Sequence, residues 1–417
     1  MTTLNTETKR NSDTFKMTGC EYMLIDLANA YGLDKEVFSK RIEWAKANLD
    51  NLELLIMEAD EPIMFAKATM VIRAIQKGSE ISHMVELDAT TSGVQIMSAL
   101  TGCRRGALWT NLIDPETRRD CYTEVHKEML KLLDGIECEI TRSEAKEAVM
   151  CAFYGSVAEP IKIFGEDTDE LNAFYEVLST QLPGAYELLQ DFKGLWNPYA
   201  LNHSWTLPDG HKTMVNVMVD KSNQIEIDEL DHHRFTFNYS ENEGTERGVA
   251  LAAHIIHSID AYVVREVNAR CNYNKVALES ALRYINKIIE VRPTNIFERN
   301  TDMVISLSTI DRDNSRAIMD NMSTNDLIRL GDLIVNTLSK SRFEIVCIHD
   351  AYKCHPNYCN ELRYHYREIL AELAESDLLS QIFSEISGEE EHYSQVEGGM
   401  TKVEMSTAIR NSAYALC

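Results

Sequence analysis

Apolar residues recur three and four positions apart through the first part of the chain, which predicts a helical first lobe. The pattern is clearest in DKEVFSKRIEWAKANLDNLELLIMEADEPIMFAKATMVIRAI, where this spacing places apolar side chains on one helix face. The extended run HMVELD interrupts it, and the small-residue stretch ATTSG leads into a new helix at Val94. We therefore predict a strand, a turn and a helix in that order, with Asp88 at the carboxyl end of the strand.

A different pattern begins at Trp205. The segment SWTLPDGHKTMVNVMVDKSNQIEIDELDHHRFTFNYS contains Pro-Asp-Gly and then alternating β-branched residues around a polar tip, which predicts one long hairpin. Helical spacing resumes in GVALAAHIIHSIDAYVVREV, and the run FEIVCIHD predicts a strand that ends on Asp350. The overall prediction is an α+β fold, mostly helical, whose small antiparallel sheet carries an aspartate at each of two strand ends.

Composition places the chain among ordinary globular proteins. Its 417 residues are enough for two to three compact lobes, and 44% hydrophobic with 26% charged residues allows a large core. No stretch approaches 18 uninterrupted apolar residues, and MTTLNTETKRNSDTFK lacks the apolar region of a signal peptide. We therefore expect a cytoplasmic protein without a membrane partner, in which the ten scattered cysteines are reduced thiols.

The formal net charge of −25 argues against nucleic-acid binding. Affinity for DNA comes largely from lysine and arginine side chains that neutralise phosphates. Total charge does not describe a local path, however, and the basic runs LTGCRRGALW and ETRRD are present. Charge alone favours a protein that binds other proteins or small molecules. Only specific sequence motifs can overturn this interpretation in favour of nucleic-acid binding.

The segment CIHDAYKCHPNYC concentrates soft metal ligands. Five possible ligands lie within thirteen residues: Cys347, His349, Cys354, His355 and Cys359. Zinc sites are built from such side chains. The chain nevertheless contains no Cys-x-x-Cys pair, which the usual zinc signature includes. The alternatives are thiols that pack as small hydrophobic groups, or a functional aspartate beside incidental cysteines.

The two strand-end aspartates suggest a magnesium site. Hard cations prefer carboxylate oxygens, and a pair of such ions stabilises both the attacking and the leaving oxygen in phosphoryl transfer. Aspartate also commonly ends strands and begins turns, so for either residue alone structural capping is the better interpretation.

The segment TRSEAKEAVMCAFYGS predicts a helix with a cationic face. Thr141 or Ser143 would cap it and Gly155 would close it. Arg142 and Lys146 are four residues apart and share one face, and Tyr154 follows two turns later. Such a face can hold a triphosphate beside a stacked base; the alternative is a solvated face next to a core tyrosine.

Several segments in collinear order give the chain a family resemblance. Four of them resemble elements of the single-subunit RNA polymerases of the phage and mitochondrial type. DATTSGVQIMSAL resembles that family's motif A, and TRSEAKEAVMCAFYGS resembles its fingers helix. HSID resembles the His-Ser-x-Asp element, and IHDAY resembles motif C. SWTLPDG is similar to the segment before that family's promoter hairpin, here around residues 216–239. DKEVFSKRIEW, EADEPIMFA and SAYALC also have counterparts.

The resemblance implies a DNA-directed RNA polymerase that uses Mg²⁺, DNA template and ribonucleoside triphosphates to make RNA. The metal ligands implied are Asp88, Asp350 and the backbone carbonyl of Ala89. The catalytic residues implied are Asp88, Asp350, Lys146 and Tyr154. The substrate-binding residues implied are Lys35, Tyr122, Arg142, Lys146, Tyr154, Gly155 and His257, with Tyr154 and His257 reading the ribose 2′-hydroxyl.

The same resemblance implies a right-hand architecture of palm and fingers. Its parts would be a flexible N-terminus (1–14), palm (15–104), fingers with the promoter-type hairpin (105–257), and palm again (258–417). The last part would include a helical insertion near 270–330 and a C-terminal foot. The family's N-terminal domain and thumb have no counterpart, and no Gly-Arg dipeptide of the Asp-x-x-Gly-Arg element occurs.

We therefore expect a split enzyme of a bacteriophage, in the cytoplasm of its bacterial host. A second subunit would carry the thumb and the arginine element, and a phage activator protein is a further expected partner. Two departures stand near the site: Glu147 replaces the usual Arg after the fingers lysine, and Ala89 replaces a Gly.

Two alternatives remain. A family A DNA polymerase shares the fingers spacing, but Ala351 stands where that family has a glutamate, and motif A has small residues, ATTSGVQ, in place of a blocking glutamate. A non-enzymatic acidic helical adaptor with a Cys/His zinc knot is the second alternative.

Overall fold

The computed structural model describes residues 16–136, 139–243, 250–292 and 303–417. Within these ranges the protein is mostly helical with small antiparallel sheets, which confirms the predicted α+β class. The helices are α1 (Gly19–Ala28), α2 (Phe38–Ala47), α3 (Leu52–Leu55), α4 (Pro62–Gln76), α5 (Ser92–Thr101), α6 (Arg104–Trp109), α7 (Cys121–Leu132), α8 (Arg142–Phe153), α9 (Ala158–Phe164), α10 (Asp169–Gln181), α11 (Pro183–Gly194), α12 (Ala250–Cys271), α13 (Lys275–Val291), α14 (Ser315–Asn321), α15 (Thr324–Leu338), α16 (Cys359–Glu375), α17 (Leu378–Ser387) and α18 (Lys402–Arg410). The strands are β1 (Val85–Asp88), β2 (Asn202–Thr206), β3 (Lys212–Asn216), β4 (Val219–Ile227), β5 (His233–Glu241), β6 (Ile345–Ile348) and β7 (Ala351–Cys354). The predicted flexible N-terminus, residues 1–14, lies outside the described residues.

A three-stranded antiparallel sheet joins distant parts of the chain. Its strand order is β1-β7-β6, and β6 and β7 form a hairpin whose turn contains His349 and Asp350. The predicted strand therefore ends two residues earlier than expected, at Ile348. The reason is that His349 takes a positive φ of 54°, which ends the extended backbone and turns the chain.

The single long hairpin predicted from Trp205 onward is wrong. The segment forms two successive hairpins, β2–β3 and β4–β5, because the chain is fixed to the protein body between them. Val217 is fully buried, and the Asn242 side chain donates to the carbonyl oxygens of Val217 (2.6 Å) and Leu201 (2.8 Å). Trp205 is also buried, and its Nε1 donates to Ser258 Oγ at 3.0 Å.

The largest core packs β1 and α5 against α8, α12 and α16. One buried polar side chain within it, that of Gln95, has several hydrogen-bond partners. Gln95, fully buried on α5, donates to the carbonyl oxygens of Thr110 (2.8 Å) and Ala415 (3.1 Å) and accepts from the Tyr366 hydroxyl (2.7 Å). These bonds hold Ala415 and its neighbours beside α5.

A second, smaller core lies around α13 and α15 and includes Leu278, Ile285, Leu327 and Ile334. It covers most of the stretch in which an insertion near 270–330 is predicted, although residues 293–302 lie outside the described ranges. Its assignment as an insertion stays a prediction. None of the helices in the described part of the chain combines the length and the apolar character needed to cross a membrane.

Candidate active site

The pairing of β1 with β7 brings Asp88 and Asp350 to one place. Asp88 lies opposite Ala351 in the register, and the next backbone N–H, that of Ala89, donates to the Asp350 carbonyl oxygen at 3.2 Å. On the free edge of β1, Asp88 exchanges two backbone hydrogen bonds with Cys417, at 3.0 and 3.2 Å. The backbone of Asp88 is therefore fixed on both sides, while its carboxylate opens into a cleft that Asp350 also lines.

The electrostatic environment of this pair is unusually negative. Loss of solvent around Asp88, followed by repulsion from Asp350 and Glu86, raises the pKa of Asp88 to about 7. Its carboxylate is exposed to the cleft, yet the surrounding protein atoms restrict its hydration. Burial and the Asp350 charge likewise raise the pKa of Asp260, on α12, to about 6. A divalent cation with oxygen ligands would relieve this repulsion.

The cleft has a volume of about 580 Å³ and brings together most of the predicted site residues. The predicted residues that line it are Lys35, Asp88, Ala89, Tyr122, Arg142, Lys146 and Asp350. Lys35 reaches it after a turn at Gly32, where φ is 112° and a Cβ atom would lie 2.3 Å from Asp60 Oδ2. This turn therefore requires glycine.

Helix α8 presents the predicted cationic face to the cleft. Its start is a capping box: Thr141 Oγ1 accepts from the Glu144 N–H (3.3 Å), and the Glu144 carboxylate accepts from the Thr141 N–H (2.8 Å). Lys146 Nζ lies 5.7 Å from the centre of the Tyr122 ring, over its face. The geometry of the face thus agrees with the i, i+4 spacing.

Arg142 has a carboxylate partner within the protein. Its Nε donates to Asp120 Oδ2 (2.8 Å) and to Thr123 Oγ1 (2.9 Å). Burial alone would raise the pKa of Asp120, but the hydrogen bonds from Thr123 and Arg142 outweigh it and hold that pKa below its ordinary value. An incoming phosphate would compete with an ionised carboxylate for Arg142.

Tyr154, Gly155 and His257 form a neighbouring group that does not line the cleft itself. The Tyr154 and His257 rings are 4.3 Å apart at their centres, and Gly155 closes α8 with a φ of 89°. A Cβ atom on Gly93 would lie 3.2 Å from the Tyr154 hydroxyl oxygen. Burial and then Asp260 raise the pKa of Tyr154 to about 12. Burial and the neighbouring histidines lower the pKa of His257.

The cysteine-rich segment does not assemble a zinc site. Cys354 and Cys359 are buried with their sulfur atoms 3.6 Å apart, and His355 Nδ1 accepts from the Asn357 N–H at 3.3 Å. Within the described ranges, the only three metal-ligating side chains whose ligand atoms lie within 4.8 Å of one another are at the tip of β4–β5. The geometry agrees with thiols that pack as small hydrophobic groups.

Three charged residues of the site were missed as site residues by sequence reasoning. Asp260 carries a negative charge beside Asp350, and its signal was the HSID segment, from which only His257 was selected. Arg118 lines the cleft and lowers the pKa of Asp88, and Asp120 binds Arg142. Both lie in the run ETRRD, which was noted only as a basic stretch.

The first part of the chain is similar to known proteins. Residues 14–162 match the family described as DNA-dependent RNA polymerase. The chain is 30% identical over 164 residues to a probable DNA-directed RNA polymerase of Neurospora crassa, covering 34% of this chain and 18% of that protein. It is 27% identical over 124 residues to the DNA-directed RNA polymerase of Pseudomonas phage phiKMV, covering 26% and 15% respectively.

Residues 14–162 therefore carry a DNA-dependent RNA polymerase family domain. The matched segments span less than a fifth of each relative's length. The polymerase domain contains Lys35, Asp88, Ala89, Tyr122, Arg142, Lys146, Tyr154 and Gly155. His257 and Asp350 lie beyond it, and the fold brings both to its site residues.

Proposed function

We propose that this chain is the catalytic subunit of a DNA-dependent RNA polymerase, which transfers nucleotides from ribonucleoside triphosphates to the 3′ end of an RNA. The observation that carries the proposal is the meeting of Asp88 with Asp350 in one cleft, with Arg142 and Lys146 on another of its walls. Phosphoryl transfer requires chiefly positioning and neutralisation of charge, and this arrangement offers both.

The proposed architecture has a palm built from residues 15–104 and 258–417 and fingers from 105–257. Two contacts support it. β1 and β7, from the two parts of the palm, pair directly, and α8 of the fingers contributes to the cleft that their aspartates line.

The donor set fits Mg²⁺. The Asp88 and Asp350 carboxylates and the Ala89 carbonyl would hold it, and the raised pKa of Asp88 marks negative charge that lacks compensation. When bound, the ion would neutralise charge on the transferring phosphoryl group and lower the pKa of the attacking 3′-hydroxyl.

The other side chains would position the nucleotide. Lys146, held over the Tyr122 ring, and Arg142 would bind the triphosphate, and Lys35, which also lines the cleft, would approach it. Tyr154 and His257, whose rings pack together with an angle of 32° between their planes, would orient the ribose and read its 2′-hydroxyl.

A second polypeptide belongs to the proposal. A chain with a net charge of −25 has little capacity to neutralise the phosphates of a template, so we propose a partner subunit that supplies basic surface and the Asp-x-x-Gly-Arg element. We further propose that the assembly transcribes phage genes with the help of an activator protein.

Primer extension on an RNA–DNA hybrid tests the activity. The chain, alone and with a co-purified companion, is offered ribonucleotides and deoxyribonucleotides in turn with Mg²⁺. We expect ribonucleotide incorporation that requires the companion and is lost in Asp350→Asn. A strong preference for deoxyribonucleotides would instead identify a DNA polymerase, and full activity of the isolated chain would refute the second subunit.

A further inference from the structure

The hairpin of β4 and β5 projects as a two-stranded ribbon. Its strands pair with each other from Val219 opposite Glu241 to Ile227 opposite His233, and among the described residues no third strand joins them. Side chains alternate between two faces along such strands, so the two faces of the ribbon can be compared residue by residue.

One face of the ribbon carries Lys221 and Asn223, and its remaining central positions form an open apolar patch. Ile225, Phe235, Phe237 and Tyr239 share it, with exposed fractions of 40%, 47%, 38% and 36%. The rings of Phe237 and Tyr239 stack with centroids 5.5 Å apart. Thr236 and Asn238 lie on the opposite face, which is polar.

An open aromatic face on an isolated ribbon indicates a surface that another molecule covers. A two-stranded hairpin is marginally stable in water unless a hydrophobic face is packed against something. Contiguous exposed apolar patches mark interaction sites, and aromatic residues are enriched in protein interfaces.

The charge of the ribbon selects among the possible partners. Residues 219–241 contain six acidic and two basic side chains, a formal charge of −4 with histidine neutral. Both cations are already paired: Lys221 Nζ lies 2.8 Å from Glu241 Oε2, and Arg234 Nε lies 2.6 Å from Glu226 Oε2. Phosphate neutralisation, the main source of affinity for DNA, is therefore absent, and a second acidic copy of the chain would be repelled.

We propose that the aromatic face of this ribbon binds a basic, amphipathic polypeptide segment of a partner protein. The apolar side of such a segment would cover Phe235, Phe237 and Tyr239, and its cations would meet the carboxylates at the ribbon tip, Asp228, Glu229 and Asp231. This inference goes beyond the proposed polymerase activity and does not depend on it. It also departs from the promoter-reading role that the resemblance implies for this hairpin.

The test measures peptide binding to the full chain by fluorescence anisotropy. The probe is an 18-residue peptide of lysine and leucine patterned as an amphipathic helix, and a scrambled peptide of the same composition controls for charge. We expect the patterned peptide to bind wild type, and the double variant Phe235→Ser/Phe237→Ser, which changes no charge, to bind about tenfold more weakly. The matched variant Thr236→Ala/Asn238→Ala on the opposite face should bind as wild type does.

Unchanged thermal unfolding of both variants would show that they fold. Equal peptide affinity in wild type and the phenylalanine variant would overturn the proposal. The proposal would also be overturned if wild type bound a 20-mer of duplex or single-stranded DNA and the phenylalanine variant did not. This result would assign the aromatic face to nucleic acid. A wild-type dimer in sedimentation that the same variant abolishes would assign the face to a second copy and also overturn it. None of these results bears on primer extension, so the two proposals fail separately.

Discussion

Two groups of acidic side chains in this protein have opposite surroundings. At the ribbon tip, Glu226, Asp228 and His232 place their ligand atoms within 4.8 Å of one another, but all three are exposed to water. Asp88 is also exposed, but it opens into a cleft whose protein atoms restrict its hydration, and this loss of solvent with repulsion from Asp350 raises the pKa of Asp88 to about 7. Charges interact weakly in water and strongly where protein excludes it. Restricted hydration within a cleft, more than proximity of the carboxylates alone, therefore separates a candidate catalytic site from a solvated acidic surface.

The strongest test of this contrast removes one carboxylate from each region. We expect Asp350→Asn to reduce nucleotidyl transfer by about 1000-fold, because it removes a metal ligand and half of the paired negative charge. Asp228→Asn at the ribbon tip should change the rate less than about twofold. Primer extension measures both, with circular dichroism to confirm folding. Comparable losses in the two variants would remove the distinction between the regions.

The cationic side of the cleft should matter next most. Lys146→Ala is expected to raise the KM for ribonucleoside triphosphates by about 10- to 100-fold, because the lysine lines the cleft and would meet the phosphates. Lys162→Ala on α9 is the matched control, since Lys162 is exposed and pairs with Glu159 at 3.2 Å. Steady-state kinetics of nucleotide incorporation measure the change. Equal KM values for the two variants would place the triphosphate elsewhere.

A smaller effect is expected on the choice of sugar. Tyr154→Phe should reduce discrimination against deoxyribonucleotides by about tenfold, because it deletes the hydroxyl beside Gly93 while keeping the ring that packs on His257. Tyr175→Phe is the control, because Tyr175 does not line the cleft. The ratio of kcat/KM for the two sugars measures the effect. Unchanged discrimination in Tyr154→Phe would contradict the proposed role of this hydroxyl.

The smallest expected effect concerns the stability of the metal-free protein. The folded state raises the pKa of Asp88 from 3.8 to about 7, so it favours the protonated carboxyl. The raised pKa of Asp88 therefore adds to the free energy of unfolding below about pH 4, and this contribution is lost as the pH rises to about 7. Between pH 5 and 7.5, with a chelator, we expect the Tm of wild type to fall by a few degrees more than that of Asp88→Asn. Asp228→Asn should follow wild type, and parallel curves for all three would argue against restricted hydration of Asp88.

Local features of the site could be predicted from the sequence. A cap at Thr141 or Ser143, of which the structure has Thr141, the shared face of Arg142 and Lys146 and the glycine that closes α8 all depend on residues within one helix and its ends. The long hairpin was predicted wrongly because its division depends on Val217 and Asn242, whose contacts with the protein body are not local. The sequence analysis likewise missed Asp260 and Asp120 as residues of the candidate site, because their contacts with Asp350 and Arg142 are not local in the chain.

The sequence by itself determined the helix α8 with its cationic face, and it placed Asp88 and Asp350 at or near the ends of strands. Only the tertiary structure decided that β1 pairs with β7, so that Asp88 and Asp350 share a cleft with α8. It also decided that Cys354 and Cys359 pack in the core and that the aromatic face of β4–β5 stays open. The physical reason is that periodicity and capping act over a few residues, whereas strand pairing, desolvation and charge repulsion depend on groups far apart in the chain.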